Sequence, residues 1–159
     1  MSDAAPTLAQ LEAEYEELQF SAFTFEDAWA IGSALVERGR RDALPIAIDI
    51  TLNNQVLFHA ALPGSSPDND QWLARKARVV RRFHRSSLFI AQRLKEKGES
   101  LEGKFGLPVA DYAPYGGAVA LRIRDVGVVG AVSVSGIADH EDHRLAAEAM
   151  RSRLAARGR

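Results

Sequence analysis

The residues best suited to chemistry in this chain fall in two places. Asp139-His140-Glu141-Asp142-His143 is the densest run of ionisable side chains. His140 and His143 are spaced to share a helix face. Two imidazoles beside a carboxylate suit a metal ion, and one imidazole oriented by its neighbour suits general-base work. The same run also reads as a helix start, with Asp139 as N-cap and Glu141 and Asp142 in the first turn. It follows Ser135-Gly136, where turn amides are placed to receive an anion. The second place is basic. Arg75, Arg78, Arg82 and Arg85 fall on one face, and no acidic residue occurs from Gln71 to Leu94. Solvent, an acidic surface of the same protein or an anionic ligand must answer that charge. Trp72 sits one turn before Lys76, so a flat apolar group and a cation share a neighbourhood. His59 stands apart, on an expected strand, where it reads as a sheet or interface histidine. No nucleotide-binding, zincin or nucleophile-elbow motif is present, and no nucleophile with a paired base is evident.

The elements that must position these groups follow from spacing. Pro67 to Leu94 reads as one long amphipathic helix. Asp68, Asn69 and Asp70 offer its N-cap and acidic first turn. Leu73, Ala77, Val80, Leu88, Ala91 and Leu94 recur at helical spacing, and Val79, Phe83 and Ile90 widen the stripe. Met1 to Pro6 reads as a loose terminus. Thr7 to Leu18 is a helix with Leu8, Leu11, Tyr15 and Leu18 on one face. Thr24 caps a second helix, with Asp27 as a shortened capping box. Pro45 opens a strand, Asn53-Asn54 turns it, and Gln55 to Ala61 returns. Gly98 is a helix stop. Gly103 to Tyr115, with Gly106, Pro108 and Pro114, is expected to be largely irregular, and loops of that length often carry binding work. Gly116-Gly117 opens a third strand, which turns at Asp125-Val126-Gly127. Val128 to Ser135 is a fourth strand, expected to be central, with Gly130 allowing close approach of another backbone or ligand. A final helix follows Asp139. Two hairpins with helices before, between and after imply a single α+β domain, a mainly antiparallel sheet flanked by helices.

Composition sets limits. A chain of 159 residues with 47% hydrophobic and 26% charged residues is one ordinary globular domain with room for a core. Net charge of −1 provides no bulk field for nucleic acid or an acidic membrane, so neither is an expected partner. Charge is unevenly placed: seven acids and no base occur from Met1 to Ala30, while the tail carries Arg151, Arg153, Arg157 and Arg159. That pattern suits an intramolecular or intersubunit complement. With no cysteine, disulfides, zinc–thiolate sites, iron–sulfur clusters and cysteine nucleophiles are excluded. Neither a signal-peptide pattern nor a spanning apolar run is evident, so a soluble cytoplasmic protein is expected.

The chain resembles the UPF0303 family, a group within the wider haem-degrading, HbpS/GlcG-like superfamily. The resemblance spans Phe23 to Leu154. It rests on Gly64-Ser65-Ser66-Pro67-Asp68-Asn69, Trp72-Leu73-Ala74-Arg75-Lys76, Val80, Arg82-Phe83 and Ser86-Ser87. It continues through Tyr112, Gly116-Gly117, Gly130 to Gly136 and Asp142-His143. It implies a profilin-like antiparallel sheet flanked by helices, with residues 1–22 as an N-terminal helical extension and 23–157 as the HbpS/GlcG-like domain. It also implies a homo-oligomer, dimer or higher. The family pattern places His before the paired glycines and Phe-Pro-Ile shortly after. Here Tyr115 and Val119-Ala120-Leu121 stand there, and a tyrosine phenolate also ligates haem iron.

Three functional readings follow. One is a binder of haem or a related tetrapyrrole, with Trp72 beside Arg75 and Lys76 and with His59, His84 or His143 as candidate iron ligands. Another is an enzyme or sensor for a small anionic metabolite. The third is a non-enzymatic oligomeric scaffold or chaperone-associated protein. The residues expected to bind ligand are Asn69, Trp72, Arg75, Lys76, Tyr115, Gly116, Gly117, Ser135, Asp142 and His143. Hemin titration, thermal stabilisation by small anions, and oligomer loss in Arg75→Ala separate the three.

Overall fold

The computed structural model describes residues 4–158; the first three residues of the expected loose terminus, and Arg159, lie outside the described residues. Helix α1 (Leu8–Glu17) starts at a capping box. Gln10 N donates to the Thr7 hydroxyl at 3.2 Å, and Thr7 N donates to Gln10 Oε1 at 2.9 Å. Thr24 caps helix α2 (Phe25–Arg41) in the same way through Asp27, as its spacing implied. Between them runs a strand that residue patterns do not reveal, β1 (Gln19–Phe20), too short to show a period. Strands β2 (Ala47–Leu52) and β3 (Gln55–Ala61) form the first hairpin, turned by Asn53 and Asn54, both at positive φ.

The expected long helix is two helices. Helix α3 (Pro67–Phe83) ends at His84, which adopts a left-handed conformation at φ 57°, and α4 (Ser87–Lys97) restarts at Ser86, whose hydroxyl accepts from Phe89 N at 3.1 Å. The break is local chemistry. Ser86 offers a side-chain cap to a new helix, and the apolar spacing resumes on the far side, so periodicity alone hides it. The start also differs from expectation: Ser66 holds the N-cap position, Pro67 fills the first turn, and Ser66 N donates to Asn69 Oδ1 at 2.9 Å. Gly98 stops α4 as expected. The expected irregular stretch begins later than Gly103, because α5 (Leu101–Phe105) is capped by Ser100 and closed by Gly106. Strands β4 (Ala118–Ile123) and β5 (Gly127–Ser135) make the second hairpin, and α6 (Asp139–Arg157) completes the chain.

The strand order is β1-β4-β5-β2-β3, which places β5 in the centre. The sheet is mixed. The hairpin pairings β2–β3 and β4–β5 are antiparallel as expected, β2 and β5 join the hairpins through a further antiparallel pairing, and β1 joins β4 in parallel. Strand alternation divides the side chains between two layers. Ile48, Ile50, Val119, Leu121, Val132 and Val134 meet α2 and α6 in the main core, which also takes in Leu18 and Phe20. Ala118, Ala120 and Ala131 face Ala77 and Val80 of α3. These small residues let α3 lie close on the sheet and carry Lys76 to its end.

The uneven charge is resolved within the chain. Arg153 Nε and Arg157 Nη1 donate to Asp27 at 2.8 and 2.6 Å, and Arg151 bridges Glu14 and Glu17 at 3.3 and 2.9 Å. Burial pushes the Asp27 carboxyl up, but its bonds to Thr24 and Arg153 and the charge of Arg157 outweigh that and hold it below the usual range.

Candidate functional site

Helix α3, the β5–α6 turn and the segment before β4 converge on one buried pair. Lys76 is 3% exposed and Asp142 2%. Lys76 Nζ lies 3.3 Å from Asp142 Oδ2 and 3.3 Å from the carbonyl oxygen of Val134. Asp142 also accepts from Gly136 N at 3.3 Å and Ile137 N at 3.1 Å. The chain's own carboxylate thus fills the anion position that the sequence places at this turn. Asp142, not Asp139, reaches back to the amides before α6; Ala138 is the N-cap residue, and Asp139 Oδ2 accepts from Gly116 N at 3.4 Å instead. The paired glycines are a steric necessity here. A Cβ on Gly117, whose φ is 141°, would stand 2.6 Å from Lys76 Nζ, and one on Gly116 would stand 2.8 Å from the Asp139 carbonyl carbon.

Burial pushes the Asp142 carboxyl up to about 6, offset only in part by Lys76 and by the amides of Ile137 and Gly136. Burial likewise pulls the Lys76 amine down, against the charges of Asp142 and Asp139. Both shifts have one origin, the cost of holding charge away from water.

Two adjoining clefts open beside this pair. The smaller, of about 280 Å³, is lined by Asn69, Trp72, Lys76, Tyr115, Ser135 and Asp142, together with Gly136, Ile137 and Asp139. The larger, of about 640 Å³, runs between α4 and the segment 107–116; Trp72, Arg75, Leu88, Leu94, Tyr112 and Tyr115 are among its walls. Trp72, Tyr115 and Asp139 line both. Trp72 stands edge-on to Tyr115 with centroids 5.5 Å apart, under the Arg75 guanidinium at 4.6 Å. Arg75 donates twice to the Val109 carbonyl, at 2.6 and 3.1 Å, and Arg78 to that of Asp111 at 3.3 Å. Much of the basic face is therefore answered by backbone carbonyls of the following loop.

The histidines lie outside both clefts. His143 is 1% exposed, and its Nε2 lies 2.6 Å from Glu14 Oε1 on α1, while Nδ1 has no hydrogen-bond partner among the described residues. Burial raises the Glu14 carboxyl, but the His143 bond and charge, with Arg151, hold it below its usual range. His140 faces Asp139 and Glu141 at 3.7 and 3.6 Å, so it does not join His143. His84 is exposed at the end of α3. His59 sits between Asp49 at 3.7 Å and Asp70 at 3.5 Å. Among the described residues no group of three His, Asp or Glu is placed to hold a metal ion. Ile137, Asp139, Leu88 and Tyr112 join the clefts without having been singled out as ligand residues; only folding brings their separate elements together.

A family model described as haem degrading protein HbpS-like matches residues 23–151. The chain belongs to that HbpS-like family. Within it, the chain is 51% identical to a UPF0303 protein of Streptomyces coelicolor over 146 residues, 92% of each. The solved Ybr137w protein superposes with a TM-score of 0.86 at 30% identity, over 96% of this chain and 90% of that one. A solved PduOC–haem complex superposes with a TM-score of 0.68 at 21% identity, over 83% and 94%, a likeness of fold. In this HbpS-like chain, Tyr115 lines both clefts, Gly116 and Gly117 pack against Asp139 and Lys76 and line neither, and Asp142 and His143 point to different partners.

The Asp142 shift has a sign. A carboxyl whose folded pKa lies above its unfolded value adds stability below the unfolded value, and that stability is lost as pH rises through about 6. Between about pH 4 and pH 7, wild type is therefore expected to lose about 3 kcal/mol relative to Asp142→Asn in urea unfolding. Parallel pH profiles for the two proteins would contradict the assignment.

Proposed function

We propose that this protein binds haem or a related tetrapyrrole in the larger cleft. The observation that carries the reading is the composition of that cleft. Trp72, Leu88, Leu94, Tyr112 and Pro114 give it flat apolar walls, Arg75 and Lys95 give it cations, and Tyr115, 51% exposed, presents a phenol. A planar apolar ring system bearing carboxylates needs such walls and such charges. The donor set fits haem, since a tyrosine phenolate ligates ferric iron. Tyr115 would hold the iron and Arg75 a propionate, with Trp72 against the ring. Bound haem would supply a redox-active iron there. The description of the matching family as haem-degrading supports the same reading.

The anionic-metabolite reading is less well supported, because Asp142 already occupies the amides of Gly136 and Ile137 and the Lys76 charge. Self-association belongs to the proposal. Phe25, Trp29 and Val56 are 66%, 64% and 56% exposed on α2 and the edge strand β3, apolar surface that a second copy would cover. Among the described residues no helix is long and apolar enough to cross a membrane.

Hemin titration followed by absorbance tests the assignment. Saturable binding at about one haem per chain is expected, with the charge-transfer band of a tyrosine ligand. Tyr115→Phe should abolish that band and Arg75→Ala should weaken binding about tenfold, roughly the worth of one charge-assisted contact. His59→Ala and His84→Ala should change neither. Non-saturating binding, or loss only in a histidine variant, would contradict the cleft assignment. Sedimentation of the same samples should show a homo-oligomer; a monomer at all concentrations would remove self-association from the reading.

A further inference from the structure

The smaller cleft contains a feature that tetrapyrrole binding does not use: an almost fully buried primary amine at its floor. Among the described residues the Lys76 ammonium has two partners, the Val134 carbonyl and the Asp142 carboxylate. A lysine ammonium has three donors, so one N–H direction is left over. The amine lies under Gly117, which has no side chain to cover it, and 5.9 Å from the Trp72 ring centroid. Asn69, Ser135, Tyr115 and Ile137 complete the walls.

We infer that Lys76 is a carbonyl-condensing amine, which forms an iminium with a small neutral aldehyde or ketone admitted to the smaller cleft. Three observations support this. The amine is desolvated, which favours its neutral, nucleophilic form. Asp142, within 3.3 Å, has its carboxyl held near the middle of the pH range by burial, so it can both take and return protons. The cleft is small, about 280 Å³, with an aromatic flank at Trp72 and Tyr115. Its other charged side chains are the carboxylates Asp139 and Asp142, while Arg75 lines only the larger cleft. A carboxylate on the ligand would meet repulsion, which excludes keto acids and selects neutral carbonyl compounds.

The step balances. Lys76 passes a proton to Asp142, and its lone pair attacks the carbonyl carbon, forming the C–N bond. Asp142 returns the proton to the carbonyl oxygen and then takes a second proton from nitrogen. It delivers this one to the hydroxyl, which leaves as water while nitrogen forms the double bond. The net change is ammonium plus carbonyl to iminium plus water, with the positive charge kept on nitrogen. The inference does not rest on haem binding.

The chain provides its own controls, since Lys76 is one of four lysines and the other three, Lys95, Lys97 and Lys104, are exposed. Intact protein is treated with propionaldehyde or glyoxylate under cyanoborohydride, and adducts are located by peptide mass analysis. Propionaldehyde should label Lys76 severalfold faster than the surface lysines, because burial pulls its amine towards the neutral, nucleophilic form. Relative to those lysines, glyoxylate should label Lys76 more slowly than propionaldehyde does. Asp142→Asn, with its fold checked by circular dichroism, should slow Lys76 labelling and leave the surface lysines unchanged. Lys76 labelled no faster than its exposed counterparts would overturn the inference and return the pair to a purely structural role. Preference for glyoxylate would overturn the neutral-carbonyl assignment.

Discussion

The structure depends on keeping one charged pair out of water. Lys76 and Asp142 come from helices far apart in sequence, and neither tolerates burial alone; an unpaired buried charge costs several kcal/mol. Together they fix four things. They set how far α3 slides along the sheet, since Nζ must also reach the Val134 carbonyl at the end of β5. They orient the β5–α6 turn, because Asp142 holds both amides of Gly136 and Ile137. They require glycine at 117, where a Cβ would meet the ammonium. They place Trp72, one turn before Lys76 on α3, against Tyr115, and so form the wall shared by both clefts. A buried pair is weak evidence of net stability. Its effect here is positional: it gives the clefts a definite shape.

The N-terminal helix adds a second constraint. Helix α1 is acidic, and side chains of the domain hold it: Glu12 by Arg85, Glu16 by Arg122, and Glu14 by Arg151 and the His143 imidazole. Tyr15 lies between the guanidinium groups of Arg85 and Arg122, at 3.9 and 4.2 Å. With β1 continuing from it into the sheet, the segment before the matched family region is integral to the core. This explains why His143 is sealed although it neighbours Asp142 in sequence. Successive helical residues point about 100° apart, so one turns to the cleft pair and the other to α1.

Local signals were legible where local chemistry decides. Thr24 with Asp27, Asn53-Asn54 and Gly98 each name a backbone event that a few residues settle, and each occurs where the residues indicate. The central position of β5 follows from its apolar, β-branched run. Tertiary choices were not legible. Lys76 reads as one more cation on a basic helix, yet it turns inward over a sheet of alanines while Arg75 and Arg78 turn to the loop carbonyls. Asp139 and Asp142 are equal candidates for the helix start, and packing against Lys76 and Gly116 assigns their separate tasks. The break at His84 is invisible to periodicity because the apolar stripe resumes after it. The Glu14–His143 bond joins residues too far apart in sequence for any spacing rule.

A double-mutant cycle at neutral pH across Lys76→Met and Asp142→Asn tests the central claim most directly. Each single change leaves a buried charged or polar group without its partner and should cost about 3–5 kcal/mol in urea unfolding. The double variant should cost clearly less than the sum, with a coupling of roughly 2–3 kcal/mol. Additive losses would contradict the account, for they would mean that the two groups are held independently and that the pair does not position the elements around the clefts.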